Sequence, residues 1–225
     1  MIFDTKRHPR TELLLRQAAR ELSHADPVLA GLIRQVGLCK LGMRRRNGYF
    51  RSLVEAILYQ QLTAKAAESI LARFCALYPS QRFPTAEDID RTPGSQLRAA
   101  GISSQKISYL KDLSRLTLNG SFPLRRVSLM GDEEIIQHLC QVKGIGRWTA
   151  EMFLIFTLGR PDVLPATDLG IQKAVQRLYG MKTLPSPQAL EQFGKRWKPY
   201  RSVAAWYLWA GTDGNALGRP QPPAP

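Results

Sequence analysis

The first stretch able to do chemistry is Leu139-Cys140-Gln141-Val142-Lys143-Gly144-Ile145-Gly146-Arg147-Trp148-Thr149-Ala150, which lies between two segments of helical periodicity. Two glycines flanking one apolar residue allow a tight hairpin whose amides point outward while Ile145 plugs back between the helices. The amides of Gly144 and Gly146 then meet the positive end of the following helix, which makes an anion site. Lys143 and Arg147 add charge and Thr149 a hydroxyl. For a bare Gly-x-Gly a structural turn is the favoured reading, but flanking helices and a basic background favour phosphate. A hairpin gripping one phosphate positions a duplex without reading it, so chemistry must come from elsewhere. The next polar residue in an apolar frame is Asp168, within Val163-Leu164-Pro165-Ala166-Thr167-Asp168-Leu169-Gly170-Ile171-Gln172-Lys173. Two readings stay open for it. Spacing alone favours a helix N-cap ahead of Leu169, Val175 and Leu178; the other reading is a carboxylate that acts on a substrate.

The whole chain bounds these readings. Its 225 residues have room for one large domain or two lobes. With 44% hydrophobic and 22% charged residues it can bury a core without disulfides or metal, which excludes global disorder. Against 18 acidic residues stand 32 Lys and Arg, a net charge of +14 that points to a polyanionic partner. A membrane-surface or ribosomal role, or a merely charged shell, remains open on charge alone. No run approaches the roughly 18 apolar residues that span a bilayer; the densest, Met152 to Leu158, is short. The opening residues carry charge where a signal peptide is apolar, so a cytoplasmic location is expected, at the nucleoid in a bacterium or in the nucleus of a eukaryote. Cys39, Cys75 and Cys140 form no CxxC pair and are expected to be reduced core residues.

The elements that must position the chemistry read as helices throughout, with no convincing strand. Thr11 can cap a first helix carrying Leu14, Leu15, Ala18 and Leu22, and a second runs from Pro27 to Gly37. Arg44-Arg45-Arg46-Asn47-Gly48 is a basic turn, either solvated or touching phosphate. Helices follow at about Tyr49–Tyr59 and Thr63–Tyr78, broken around Gln60-Gln61-Leu62; short turns marked by Pro93-Gly94 and Gly101 come next. Further helices are predicted at Ser104–Leu118, Asp132–Leu139 and Arg147–Leu158, then from Asp168, and last at Tyr200–Ala210. From Gly211 the chain is rich in Gly and Pro and reads as a disordered tail, residues 212–225.

These pieces together resemble the helix-hairpin-helix superfamily of base-excision DNA glycosylases, most closely the 3-methyladenine DNA glycosylase II type, over roughly residues 48 to 210. The resemblance is carried by Ile57-Leu58-Tyr59-Gln60-Gln61-Leu62-Thr63, by Gly101-Ile102-Ser103 with Lys106 and Leu110, and by the hairpin through Glu151. Leu164-Pro165-Ala166-Thr167-Asp168 and Trp197-Lys198-Pro199-Tyr200-Arg201-Ser202 with Trp209 complete it. What it implies is an all-α, two-lobed fold with the helix-hairpin-helix motif at the cleft between lobes. One lobe would combine residues 1–51 and 159–211 and carry the catalytic Asp; the other would be contiguous, 52–158.

The resemblance also reverses the odds on Asp168, which becomes the catalytic carboxylate. Trp148 and Trp209 would line the pocket with Tyr59 and Met152, although unaided reading makes these core residues, as it does Phe156. Gln61, with Leu62 beside it, would be the wedge that enters the base stack. The implied reaction is hydrolysis of alkylated purines of the 3-methyladenine and 7-methylguanine class from double-stranded DNA, leaving an abasic site. Trp148 stands where strand-cutting relatives carry a Schiff-base Lys, so the enzyme would be monofunctional. No cofactor is required and no iron–sulfur cluster is expected, since no cysteine lies beyond Cys140. Family hairpins hold a monovalent cation, Na+ or K+, on backbone carbonyls, here those of Cys140, Val142 and Ile145. A monomer with no membrane partner is expected. Two alternatives remain: a glycosylase of the same fold for an oxidised or deaminated base, and a non-catalytic DNA-binding protein.

Overall fold

A computed structural model describes residues 9–42, 48–124 and 126–212. Its helices are α1 (Pro9–Ala25), α2 (Pro27–Val36), α3 (Tyr49–Tyr59), α4 (Ala64–Ala76), α5 (Ala86–Arg91) and α6 (Gly94–Ala99), followed by α7 (Ser104–Leu118) and α8 (Asp132–Cys140). Then come α9 (Arg147–Phe153), α10 (Leu169–Leu178), α11 (Pro187–Phe193) and α12 (Arg201–Thr212). There is no strand among the described residues, as the helical periodicity predicts.

Side-chain caps set six of the helix starts. Asp26 accepts the amides of Val28 and Leu29 ahead of Pro27, Thr63 that of Ala66, and Ser103 that of Lys106. Thr85 and Asp88 form a reciprocal capping box at α5. Thr11 is not a cap: α1 already begins at Pro9. The predicted turns between Pro84 and Gly101 instead hold α5 and α6, and α11 went unpredicted. Helix α9 ends at Phe153 and passes into a π-helical turn, Leu154–Leu158, where one continuous helix was expected. Gly211 and Thr212 belong to α12 rather than to a tail; residues 213–225, like the basic turn Arg44–Asn47, lie outside the described residues.

The chain divides into two compact units. The contiguous one holds α3 to α9, with α7 packed on α3, α5 and α6, and α8 on α9. Its centre is apolar: Leu53, Val54, Ile57 and Leu58 of α3 and Leu110 and Leu113 of α7 are fully buried. The discontinuous unit joins α1 and α2 to α10, α11 and α12, and here α12 packs on α1, α2 and α10. From Val203 to Trp209 every residue of α12 is buried. Each buried Leu or Val in these cores contributes about 1.5–3 kcal/mol. Of the cysteines only Cys39 is a core residue; Cys75 is half-buried and Cys140 exposed, and all three are free thiols. No helix among the described residues is long and apolar enough to cross a membrane.

Asp26 ties the two chain segments of the discontinuous unit together. Only 2% exposed, its carboxylate accepts Tyr179 OH at 2.6 Å and Trp197 Nε1–H at 2.9 Å as well as the α2 amides. Burial alone would push this carboxyl up, but the bonds from Tyr179, Trp197 and Leu29 and the charge of Arg196 outweigh it and hold the group below its ordinary range. Its stabilising effect is therefore complete above about pH 4 and fades as pH falls through the depressed folded value. Asp26→Ala, which strands two buried donors and a helix start, is expected to lower unfolding stability in urea by about 3 kcal/mol at neutral pH. In Asp26→Asn the part of the acid-side loss that belongs to this group should vanish.

Candidate active site

In the discontinuous unit the candidate for the reacting carboxylate is Asp168. It is the N-cap of α10, extended in backbone and 1% exposed. Its Oδ1 accepts the Ile171 amide at 2.9 Å and the Trp209 indole Nε1–H at 3.1 Å. The capping that spacing suggested is real, and the same oxygen meets the indole of Trp209, a residue the resemblance named for the pocket. Gly170 keeps this corner open: a Cβ there would lie 3.0 Å from Asp168 Oδ1 and 3.6 Å from Trp209 Cδ1. Phe156, half-buried, stacks on Trp209 with ring centroids 5.9 Å apart. A fixed anion beside two stacked rings is a site that can hold a flat, cationic group and stabilise positive charge next to it.

The loop leading to Asp168 is pinned by residues the sequence did not assign. Arg201 holds the Asp162 carboxylate with two nitrogens, at 2.7 and 2.9 Å, and donates to its carbonyl. Ser202, fully buried, accepts the Val163 amide and donates to the Arg160 carbonyl. Gln172 reaches back to the Ala166 carbonyl at 2.8 Å. Arg201 and Ser202 belong to the quoted Trp197–Ser202 motif, so a signal existed, but nothing in it named Asp162 or Val163 as partners.

The contiguous unit carries the other expected residues. Helix α8, the turn Gln141–Gly146 and α9 form a helix-hairpin-helix, with Val142 and Ile145 buried and Gly144 and Gly146 exposed. Ile145 N–H closes the turn on the Val142 carbonyl at 3.0 Å. Lys143 is exposed, while its own amide donates to Asp112 Oδ2 at 2.8 Å. Arg147 is not a freely presented cation. Its guanidinium bonds both oxygens of Glu133 at 2.9 Å and Glu151 at 3.1 Å, so it braces α8 against α9. The Glu133 hydrogen bonds push the Arg147 guanidinium above its ordinary value and hold the Glu133 carboxyl below its own. Burial pushes the Cys140 thiol up. Thr149, Trp148 and Met152 lie half-buried on α9, and Tyr59 half-buried at the end of α3. Gln61 and Leu62 are exposed, Gln61 with φ of 54°. Among the described residues no cluster of His, Cys, Asp and Glu is set to hold a metal ion.

A hairpin between helices in one unit and an aspartate heading a helix in the other define a class of DNA repair protein. The chain belongs to the HhH-GPD superfamily of base excision DNA repair proteins, whose profile matches residues 54–199. It is 35% identical over 212 residues to DNA-3-methyladenine glycosylase 1 of Schizosaccharomyces pombe, covering 93% of this chain and 92% of that one. Among solved structures, a 3-methyladenine DNA glycosylase of S. pombe in complex with abasic DNA matches with a TM-score of 0.76 and 35% identity, over 90% of this chain and 100% of that one. A DNA-3-methyladenine glycosidase of Bacillus halodurans matches with a TM-score of 0.78 and 33% identity, over 87% and 89%. The family expected from the sequence motifs is thus the one found.

The two hairpin glycines differ in what they tolerate. Gly144 has φ of 78° and a Cβ there would overlap the Tyr109 ring, whereas Gly146 has no atom within 4 Å of that position. Gly144→Ala is expected to cost about 1–3 kcal/mol of stability; Gly146→Ala should be near neutral in the same thermal or urea unfolding measurement.

Proposed function

We propose that the protein is a monofunctional DNA glycosylase that removes alkylated purines, of the 3-methyladenine and 7-methylguanine class, from double-stranded DNA and leaves an abasic site. The observation that carries this reading is the buried Asp168 carboxylate held by the Trp209 indole and the first turn of α10. The relatives named as 3-methyladenine DNA glycosylases support it.

The chemistry needs one carboxylate. A purine alkylated on a ring nitrogen is already cationic and departs without a general acid, while the deoxyribose develops oxocarbenium character. Asp168 stabilises that charge and orients the attacking water; the hydrogen bonds to Oδ1 fix the carboxylate so that little reorganisation accompanies bond cleavage. At about 4 Å and an effective dielectric near 20 one such charge pair is worth roughly 4 kcal/mol, about a thousandfold in rate. In the discontinuous unit the electron-rich face of Trp209 attracts the cationic base; in the contiguous unit Trp148 has the same chemistry, and Tyr59 and Met152 are the other candidate base-binding residues. Gln61, backed by Leu62, fills the space left in the stack by the extruded nucleotide. Trp148 offers no amine, so no Schiff base forms and the strand stays intact.

The hairpin grips the DNA backbone through the amides near Gly144 and Gly146, the Lys143 ammonium and the Thr149 hydroxyl. A Na+ or K+ ion on the carbonyls of Cys140, Val142 and Ile145 is part of this proposal; the Val142 carbonyl, already accepting the Ile145 amide, keeps a second lone pair for it. The protein acts as a monomer on damaged duplex.

Base release from methylated duplex is expected to fall about a thousandfold in Asp168→Asn. Asn caps a helix as well as Asp does, so unchanged melting would separate lost chemistry from lost structure. Equal rates in the two proteins would remove Asp168 from catalysis; release only from oxidised or deaminated single-lesion duplexes would move the substrate class; binding without any release would leave a DNA-binding protein. In a salt titration of duplex affinity, Lys143→Gln should flatten the log–log slope by about 0.9, one phosphate. Arg147→Gln should leave the slope nearly unchanged, because that charge is already met by Glu133 and Glu151.

A further inference from the structure

Lys106 belongs to a sequence motif to which no role has yet been given, and its surroundings supply one. Its side chain is half-buried on α7, and Nζ donates to the Leu58 carbonyl at 2.8 Å and the Gln60 carbonyl at 2.7 Å. Burial without a paired carboxylate lowers the Lys106 pKa from its ordinary value. These two carbonyls lie at the C-terminal end of α3, where helical carbonyls lack intrahelical partners and a cation is favoured. The next residue is Gln61, the one non-glycine at positive φ among the described residues, a backbone state that side chains rarely adopt. The ammonium thus clamps the chain on the N-terminal side of a strained residue.

The same turn reaches the hairpin. Gln60 Nε2 donates to the Gly144 carbonyl at 2.8 Å, across 84 residues of sequence. Two more side chains of α7 hold the hairpin itself: the Tyr109 ring lies against Gly144, leaving no room for a Cβ, and Asp112 accepts the Lys143 amide. Lys106, Tyr109 and Asp112, spaced three residues apart, wind along one side of α7, so a single helix touches both the Gln60–Leu62 turn and the Lys143–Gly144 turn.

We propose that α7 is the frame that fixes the wedge turn at a set distance from the phosphate-gripping hairpin, and that Lys106 is a positioning residue for base extrusion. The proposal rests on the wedge and hairpin roles given above and deepens them. With the spacing set before DNA arrives, hairpin binding drives Gln61 into the stack and is not consumed in ordering the turn. Lys106 itself touches neither the base nor the sugar.

Lys111 supplies the control. It lies five residues further along α7 and donates in the same way to two carbonyls, those of Asp90 and of Thr92, the residue following α5. Lys106→Met and Lys111→Met each remove one such clamp and keep the aliphatic stem, so both lower the melting temperature, and rates are compared well below the lower of the two. The probes are two duplexes with 7-methylguanine beside 2-aminopurine, one with cytosine opposite the lesion and one with an abasic analogue there. Only the first demands that a pair be broken.

Single-turnover release from the paired duplex is expected to drop on the order of tenfold to a hundredfold in Lys106→Met, with the unpaired duplex close to wild type. The 2-aminopurine fluorescence rise on binding the paired duplex should shrink in parallel. Lys106→Arg, which can still donate to both carbonyls, should recover most of each signal, and Lys111→Met should leave the paired-to-unpaired ratio unchanged. Equal slowing of both duplexes in Lys106→Met, no slowing of either, or a ratio change shared by Lys111→Met would each overturn the positioning role while leaving the glycosylase reading intact. If the wild type releases no alkylated base but raises the fluorescence in a Lys106-dependent way, the substrate reading falls and the positioning role stands. If it does neither, both fall.

Discussion

A carboxylate with 1% of its surface exposed needs donors, and Asp168 has a backbone amide and an indole N–H on one oxygen. The rest of the discontinuous unit is arranged around that demand. The amide comes from the start of α10, so the helix must begin at this residue; the indole comes from the far end of α12, so α12 must run against α10. Gly170 has to be small because both partners crowd it. The loop before Asp168 cannot drift, since Arg201 and Ser202 at the near end of α12 hold Asp162 and Val163. One long buried helix therefore fixes the Asp168 carboxylate from both directions.

The contiguous unit uses α7 in a comparable way. Its buried face supplies Leu110 and Leu113 to the core, while Lys106, Tyr109 and Asp112 reach the backbone of two turns. Polar side chains acting on backbone atoms are costly to leave unmatched inside a protein, and Lys106 and Asp112 each meet a carbonyl or amide of a turn, while the Tyr109 ring packs on Gly144. In both units, then, the loops around the candidate site residues are held from the flank of a long helix rather than by their own sequence.

What could be read from the sequence follows from the range of each interaction. Helix α3 and α7 were delimited correctly because apolar periodicity runs their full length and a side-chain cap or a break marks their ends. The helices α5, α6 and α11 are six or seven residues long, too short for periodicity to register among the prolines and glycines around them. A local sign existed for α5, the Thr85 and Asp88 pair. For Asp168 the cap was legible because its partner is three residues away; the Trp209 bond spans 41 residues, and the family resemblance named both residues without joining them. For Arg147 it was the partner that could not be read. Its type and place suggested an outward charge, but Glu133, fourteen residues back across the hairpin, neutralises it, and no helical spacing relates the two.

Asp26 has a consequence for how this chain is made. Its two side-chain donors, Tyr179 and Trp197, lie 153 and 171 residues downstream. At translation speeds of about 5–20 residues per second, an interval on the order of ten to thirty seconds separates emergence of the acceptor from emergence of its partners. The contiguous unit, complete by Phe153, has all its own helices outside the ribosome before then. Synthesis therefore imposes an order: the hairpin-bearing unit can close first, and the unit bearing Asp168 closes only after α12 has left the exit tunnel.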